Sequence, residues 1–324
     1  MDSENTEDLI QSRKGICLSP QETEPMNGRP DVFAESYSHM LIEDVCNQIL
    51  PIDSHFGKGS YLPRIAPEDR MIEALICRGI AGQRYERNIA YALHEFFRNC
   101  VQAIGVYGNA SYEIVYSVKP GTSKPMGFRF EPLSPVPHGR HGQYCQRIPR
   151  QIAKSKGVPS RMKLPEDIVL VCNPRISLRI TETLRCLATL SDPVSLDLAL
   201  SKSGERRERV PYDWEAHRRS HSLAIASTCR DIGWEARNLF RNDILEYYSI
   251  HRKLKFARFV MELRDSILAM LNEGIARVGK ELGFSAQIVL EGLPVLGDVE
   301  KAEGYLRTGE RPFKEIYGIL LNMP

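Results

Sequence analysis

His217 and His221 stand four residues apart, a spacing that puts two imidazoles on one face of a helix, as a metal site requires. The zinc-hydrolase version of that pair needs a glutamate directly after the first histidine. Arg218 occupies that position, and with Arg219 it repels a cation. The segment reads as a solvated basic helix start. His138-Gly139-Arg140-His141-Gly142 has no cysteine or carboxylate beside it to complete a coordination shell, so it reads as a flexible tip. Cys17, Cys46, Cys77, Cys100, Cys145, Cys172, Cys186 and Cys229 are dispersed singly, without the two-residue gap of a zinc knuckle or redox dithiol. They read as small hydrophobes in a reducing compartment. No metal and no cofactor is expected.

Other catalytic patterns are missing. Gly57-Lys58-Gly59-Ser60 is basic and glycine-rich, but residues 51–56 hold no upstream glycine to make a phosphate loop. Neither a Gly-x-Gly-x-x-Gly turn nor a Gly-x-Ser-x-Gly nucleophile elbow occurs. The acid pairs Glu43-Asp44 and Glu166-Asp167 are adjacent in sequence, so their side chains diverge and suit caps or solvated faces. The chain is expected not to be an enzyme. An enzyme site gathered from distant residues would escape a single-sequence reading.

Two basic features stand out from a chain whose formal net charge is only +2. Residues 132–165 carry Arg140, Arg147, Arg150, Lys154, Lys156, Arg161 and Lys163 with no acid among them. Residues 247–261 carry Arg252, Lys253, Lys255 and Arg258, again without an acid. Both sets are candidate contacts to nucleic-acid phosphates, with affinity that falls as salt rises. Tyr144, Tyr247, Tyr248, Phe256 and Phe259 lie beside them, but Phe256 belongs to an apolar stripe and base stacking is not indicated.

The elements that must position these residues follow from periodicity. A polar, proline-spaced leader over 1–32 is expected to be disordered. A helical part over 33–105 contains helices over 32–50 and, after Pro67-Glu68-Asp69, a stretch to about residue 104 broken near Gly79 and Gly82. Residues 52–66 read as a loop. A β-rich part over 106–176 opens with strands at 111–118 and 126–133, contains the basic loop 132–165, and ends on a buried strand at 168–172. A long-helix part over 177–283 begins with a helix over 178–200, broken near Asp192-Pro193. Its longest helical region, 212–282, has Gly233 as a joint and Gly283 as C-cap. A strand at 286–290 and short helices complete 284–324.

Within the last helix Phe256, Val260, Leu263, Ile267, Met270, Gly274, Val278 and Leu282 alternate by four and three. Such a stripe predicts packing along another helix or a neighbouring subunit, so these residues are candidates for an oligomer seam. The fold class expected is α+β, mostly helical, with long C-terminal helices and a small β-hairpin region. No apolar run approaches a membrane span, and the acidic start Met1-Asp2-Ser3-Glu4 lacks a signal peptide's basic region, so a cytoplasmic protein that is not secreted is expected.

The chain resembles tailed-bacteriophage portal (head–tail connector) proteins over residues 85–180. The resemblance rests on Tyr107-Gly108-Asn109-Ala110-Ser111-Tyr112-Glu113-Ile114-Val115 ending a helix and opening a strand, followed by Gly127-Phe128-Arg129-Phe130-Glu131-Pro132-Leu133-Ser134-Pro135. Gln143-Tyr144-Cys145-Gln146-Arg147-Ile148-Pro149 and Leu164-Pro165-Glu166-Asp167-Ile168-Val169 continue it. The resemblance implies a ring-shaped homo-oligomer in the host cytoplasm and then the virion. Such a ring would pass double-stranded DNA in genome packaging and ejection, with a separate terminase and with capsid and tail proteins as partners. The other readings of these residues are a nucleic-acid-binding regulatory or host-defence protein that forms no ring, and the distant-residue enzyme.

Overall fold

A computed structural model describes residues 10–11, 14–18, 36–50, 62–81, 88–118, 121, 124–134, 138–140, 143–191, 222–235 and 246–316. The chain is a mostly helical α+β protein. Its strands are β1 (Ile10–Gln11), β2 (Leu62–Ala66), β3 (Ala110–Val118), β4 (Pro125–Pro132), β5 (His138–Arg140), β6 (Gln143–Arg147), β7 (Arg161–Pro165), β8 (Val169–Cys172) and β9 (Gln287–Glu291). Its principal helices are α1 (Ser36–Ile49), α2 (Arg70–Ala81), α3 (Ile89–Tyr107), α4 (Arg150–Ser155), α5 (Ser177–Ser191), α6 (Glu246–Leu282) and α7 (Leu296–Thr308). A further helical segment spans 222–228. Among the described residues no helix is long and apolar enough to cross a membrane.

Local chemistry sets the helix ends. Asp69 accepts from the backbone N–H groups of Met71 and Ile72 and starts α2. Asn88 caps α3 by accepting from Tyr91 N. Gly108, at φ 82°, ends α3 in the left-handed conformation that only glycine adopts cheaply, and turns the chain into β3. Ile89, Leu93, Phe96, Phe97, Cys100, Val101 and Ile104 form the predicted buried face of α3. Phe96 meets Tyr112 of β3 with ring centroids 4.8 Å apart.

β3 is the central strand. It pairs antiparallel with β4 along its length, with β8 at Ala110–Glu113, and with β1 at Ser117 and Val118. Tyr112 and Ile114 point into the main core with Phe128, Phe130 and Leu170, beneath α1, α2, α3, α5 and α6. The opposite face carries Ser111, Glu113, Val115 and Ser117, and it is buried as well. Residues 14–18 and the three-stranded sheet β5–β6–β7 cover it. An alternating strand predicts one wet face; here a second layer removes the water.

Two expectations are corrected. Part of the 1–32 leader is ordered: Lys14 N and Gly15 N donate to the Glu113 carboxylate at 2.6 and 2.7 Å, and Leu18 is only 1% exposed. The rest of the leader lies outside the described residues. The 52–66 loop ends in strand β2, which pairs with β9 in the register Ile65↔Ile288, with Arg64 ion-paired to Glu291.

The stripe on α6 is also corrected. Phe256, Val260, Leu263, Ile267, Met270 and Val278 are buried inside this chain, and Leu282 packs against the same cluster. Gly274 lets α6 approach the sheet, because a Cβ there would meet Leu170 Cδ1 at 2.5 Å and Phe130 Cζ at 3.0 Å. A second apolar side, Ile250, Leu254 and Met261, is covered by α7 through Val299, Ala302 and Leu306. Alternating spacing says that something covers a stripe, and the cover is the chain's own sheet and helices. These residues are core, not a seam between copies.

The substitution Ile267→Ala is therefore expected to lower unfolding stability by roughly 2–5 kcal/mol, the cost of a core cavity. Urea unfolding should give the same loss at every protein concentration. A loss that vanishes on dilution would return the stripe to an interface.

Candidate nucleic-acid interface

Most of the acid-free segment folds into β5–β6–β7 and α4. The register places Arg147 opposite Arg161, Cys145 opposite Lys163, and Gln143 opposite Pro165. Successive strand residues face opposite ways, so Arg147, Arg161 and Lys163 share one face. Gln146 and Leu164 share the other, and both are 0% exposed. Leu164 packs with Leu133 and Val169 on the central sheet. Gln146 clamps the amino-terminal segment: its Oε1 accepts from Ile16 N, while its Nε2 donates to Ile16 O and Ser134 O. The inner face thus anchors the small sheet, and the outer face is exposed and cationic.

The connection from β6 to β7 adds charge at one end of this face. Ile148 N donates to Ser160 O at 3.0 Å, extending the ladder beyond Arg147 and Arg161. That bond makes Arg147–Arg161 a non-hydrogen-bonded pair, the kind in which facing side chains come closest. α4 is held down by Ala153, which packs with Ile148 and Leu18, and by Ile152, Val158 and Met162 around them. Its outer side presents Arg150, Lys154 and Lys156 to solvent. Gly157, at φ 65°, returns the chain to β7. Arg147, Arg150, Lys154, Arg161 and Lys163 make no ion pair to a described residue. Arg140 lies on β5 opposite Gln143, and its side chain is outside the described residues.

Like charges placed directly across a strand pair destabilise it by about 0.2–1 kcal/mol. Here the repulsion sits at the end of the face where α4 adds three more cations. The nearest acids in sequence, Glu166 and Asp167, lie at the other end, lining a shallow cavity with Lys14, Gln143 and Lys163. The face is polarised, with its charge concentrated toward α4. Negative charge brought between the two guanidinium groups would relieve the repulsion.

The second basic run behaves differently. Arg252 donates to the carbonyls of Ala226 and Trp234, tying 222–235 to α6. Arg258 is bidentate to Glu303 of α7 and lies 3.8 Å from Glu300, and the Glu303 carboxylate holds its guanidinium above the usual range. Lys255 is 4.0 Å from Asp231. Lys253 is half-buried on the same helix and is also engaged. The acids come from elements 24 to 45 residues away in sequence, so a run without local acids is neutralised on folding. As DNA contacts, Arg252 and Arg258 are corrected to structural ties.

The cysteines offer no nucleophile among the buried ones. Burial pushes the thiols of Cys46, Cys172 and Cys229 up to about 12, and that of Cys100 well above its ordinary value. Among the described residues no group of three or more His, Cys, Asp and Glu is placed to hold a metal. His217, His221, His141 and Gly57–Ser60 lie outside the described residues. Sequence reading missed Gln146 and Glu113, the two side chains that fix the basic sheet and the strap beneath it. Each is polar, isolated in sequence and recognisable only by its distant partners.

In comparison with known proteins, no family model matches the chain and no curated protein matches its sequence.

Arg258→Ala is expected to lower stability modestly, by no more than about 1 kcal/mol for a half-exposed pair, while leaving nucleic-acid affinity unchanged. Thermal melts and fluorescence anisotropy on the same preparation check both parts. A large drop in affinity would restore Arg258 as a DNA contact.

Proposed function

We propose that this chain is a portal-like structural protein that touches double-stranded DNA through the outer face of β6 and β7 and the adjoining side of α4. The observation that carries the DNA contact is the directly opposed, exposed pair Arg147–Arg161, with Lys163 two residues along β7 and the exposed Arg150, Lys154 and Lys156 in and just after α4. The contact would be made to phosphates, which position a duplex without reading its sequence. A few such cations per subunit, without deep insertion, would hold a duplex and still let it slide.

The portal-like part of the reading is supported by element order. A helix capped at Gly108 delivers Asn109-Ala110 into β3, a hairpin to β4 follows, then the basic sheet, and then β8 enters through Leu164-Pro165-Glu166-Asp167. The resemblance rests on those same segments. The 256–282 stripe is core, so any ring must use other surfaces. Terminase, capsid and tail partners remain implications of the resemblance. The burial of that stripe favours a second reading, in which the same basic face serves a nucleic-acid-binding protein that forms no ring.

Binding of a fluorescent 30-base-pair duplex across a salt series tests the proposed face. The triple variant Arg147→Ala/Arg161→Ala/Lys163→Ala should bind at least tenfold more weakly. Its log–log salt slope should be shallower by roughly 3, about 0.9 for each phosphate that is no longer neutralised. Unchanged affinity and slope would remove the proposed face. Light scattering and negative-stain microscopy then separate the two readings. Annular particles support the portal-like one, whereas a monomer with salt-sensitive binding supports the other and overturns ring assembly.

The same geometry predicts a stability gain. Arg161→Thr should raise the melting temperature of the free protein by removing cross-strand repulsion worth about 0.2–1 kcal/mol. A lower melting temperature would show that Arg161 is needed for folding rather than for a partner.

A further inference from the structure

The strap formed by residues 14–18 is fastened to elements 98 to 130 residues away in sequence. Lys14 N and Gly15 N donate to Glu113, and Gln146 grips Ile16 from both sides. Leu18 N donates to Ser134 O at 3.2 Å, while Ser134 N donates to Ile16 O at 3.3 Å. Leu18 fills the space under α4 with Ile148 and Ala153. Just ahead of the strap, β1 pairs with β3 at Ser117 and Val118. The seat is therefore a groove for extended chain. It selects by backbone pairing, by a glycine where a Cβ would meet Leu133 Cδ2 at 2.2 Å, and by one leucine.

Residues 19–35 join the strap to α1. The two ends they connect lie close together, since Cys17, Leu18 and His39 all line one cavity of about 500 Å³. A gap of that size takes about four extended residues to cross. The connection is several times longer than its own chain needs. At full extension it reaches about 60 Å, against roughly 50 Å for the diameter of a globule of this chain length. A strap on such a tether can seat in a neighbouring copy as well as in its own.

We propose that β1 and the strap are exchanged between copies of this chain, each strap occupying its neighbour's seat. The proposal rests on the ring-forming reading and supplies a contact for it, because the 256–282 stripe is buried within the chain. Every bond of the strap is kept when it is made in trans, so exchange adds little beyond the entropy of association. A seat that loses its strap strips two donors from Glu113, a carboxylate at 0% exposure, and that penalty drives it to accept another copy's strap. Passed from each copy to the next, the strap makes a head-to-tail contact that can close into a ring; returned to its donor, it makes a pair.

Cys17 makes the exchange visible. Its Sγ lies 3.5 Å from Ser134 Oγ, so Ser134→Cys sets two thiols within bridging reach. Two full-length chains with different tags would be co-expressed, both carrying Cys186→Ser to remove an exposed thiol. One keeps Cys17 and Ser134, and the other carries Cys17→Ser with Ser134→Cys. Oxidation with diamide and non-reducing electrophoresis should give a covalent pair that contains both tags. A chain carrying Cys17 and Ser134→Cys together should give linked copies that collapse to single chains on reduction. A bridge found only within single chains, or no bridge in either preparation, would overturn the exchange. Light scattering of the wild-type chain keeps this result apart from the ring reading. An oligomer whose bridges are all internal overturns the exchange and leaves the ring standing. Covalent pairs from a protein no larger than a dimer establish the exchange and overturn the ring.

Discussion

The fold turns on the double burial of β3. One face of that strand presses Tyr112 and Ile114 into the helical core, and the other carries Glu113, a carboxylate with 0% exposure. An ionised carboxylate in such a place is tolerable only if strong donors replace the water that burial has removed. Lys14 N and Gly15 N are those donors. Through them the amino-terminal segment is pinned to the centre of the sheet. Gly15 is needed at that point, because a Cβ would run into Leu133 Cδ2 at 2.2 Å. The small basic sheet rests on the same layer, with Gln146 closing it. One buried carboxylate thus organises the layer on which the outward-facing cations are carried.

What the sequence reveals depends on whether a signal is local. The buried face of α3, the β3–β4 hairpin and the end of α6 at Gly283 are written in neighbouring residues, and periodicity or capping chemistry finds them. β2 is not, because Pro63 and a glycine-rich approach resemble a loop until β9 arrives from more than 200 residues away. The α6 stripe is the instructive case. Its spacing is legible and its partner is not, since an apolar row is equally well covered by a second copy or by the chain's own sheet. Gly274 is the residue that discriminates, as the close approach of Leu170 and Phe130 to it is a feature of this fold's interior.

The two cationic runs teach the same point for charge. Both lack acids within the run, and on composition they are equivalent. Folding brings Glu300, Glu303 and two carbonyls to the run on α6. It sets the other across two strands with its arginines facing each other. The run on β6 and β7 is the larger source of surface potential because its charges are held together without being neutralised. Its pattern is half visible: Arg161-Met162-Lys163-Leu164 alternates cation with apolar residue, the mark of a strand with one wet face. The matching alternation in β6 is weaker, since Gln146 replaces an apolar residue with a buried amide.

That amide has an implication for how the cationic sheet is attached. Gln146 grips the chain at Ile16 from both its donor and acceptor ends, and Leu18 fills the space under α4. Residues 14–18 therefore act as mortar between the two sheets, beside the direct packing of Leu164 on Leu133 and Val169. Anything that strips them away, whether a clipped amino terminus or a bulky fusion forced into that seat, would leave the carboxylate beneath without its donors. The platform would then tilt or unfasten as a unit while the helical body stayed standing.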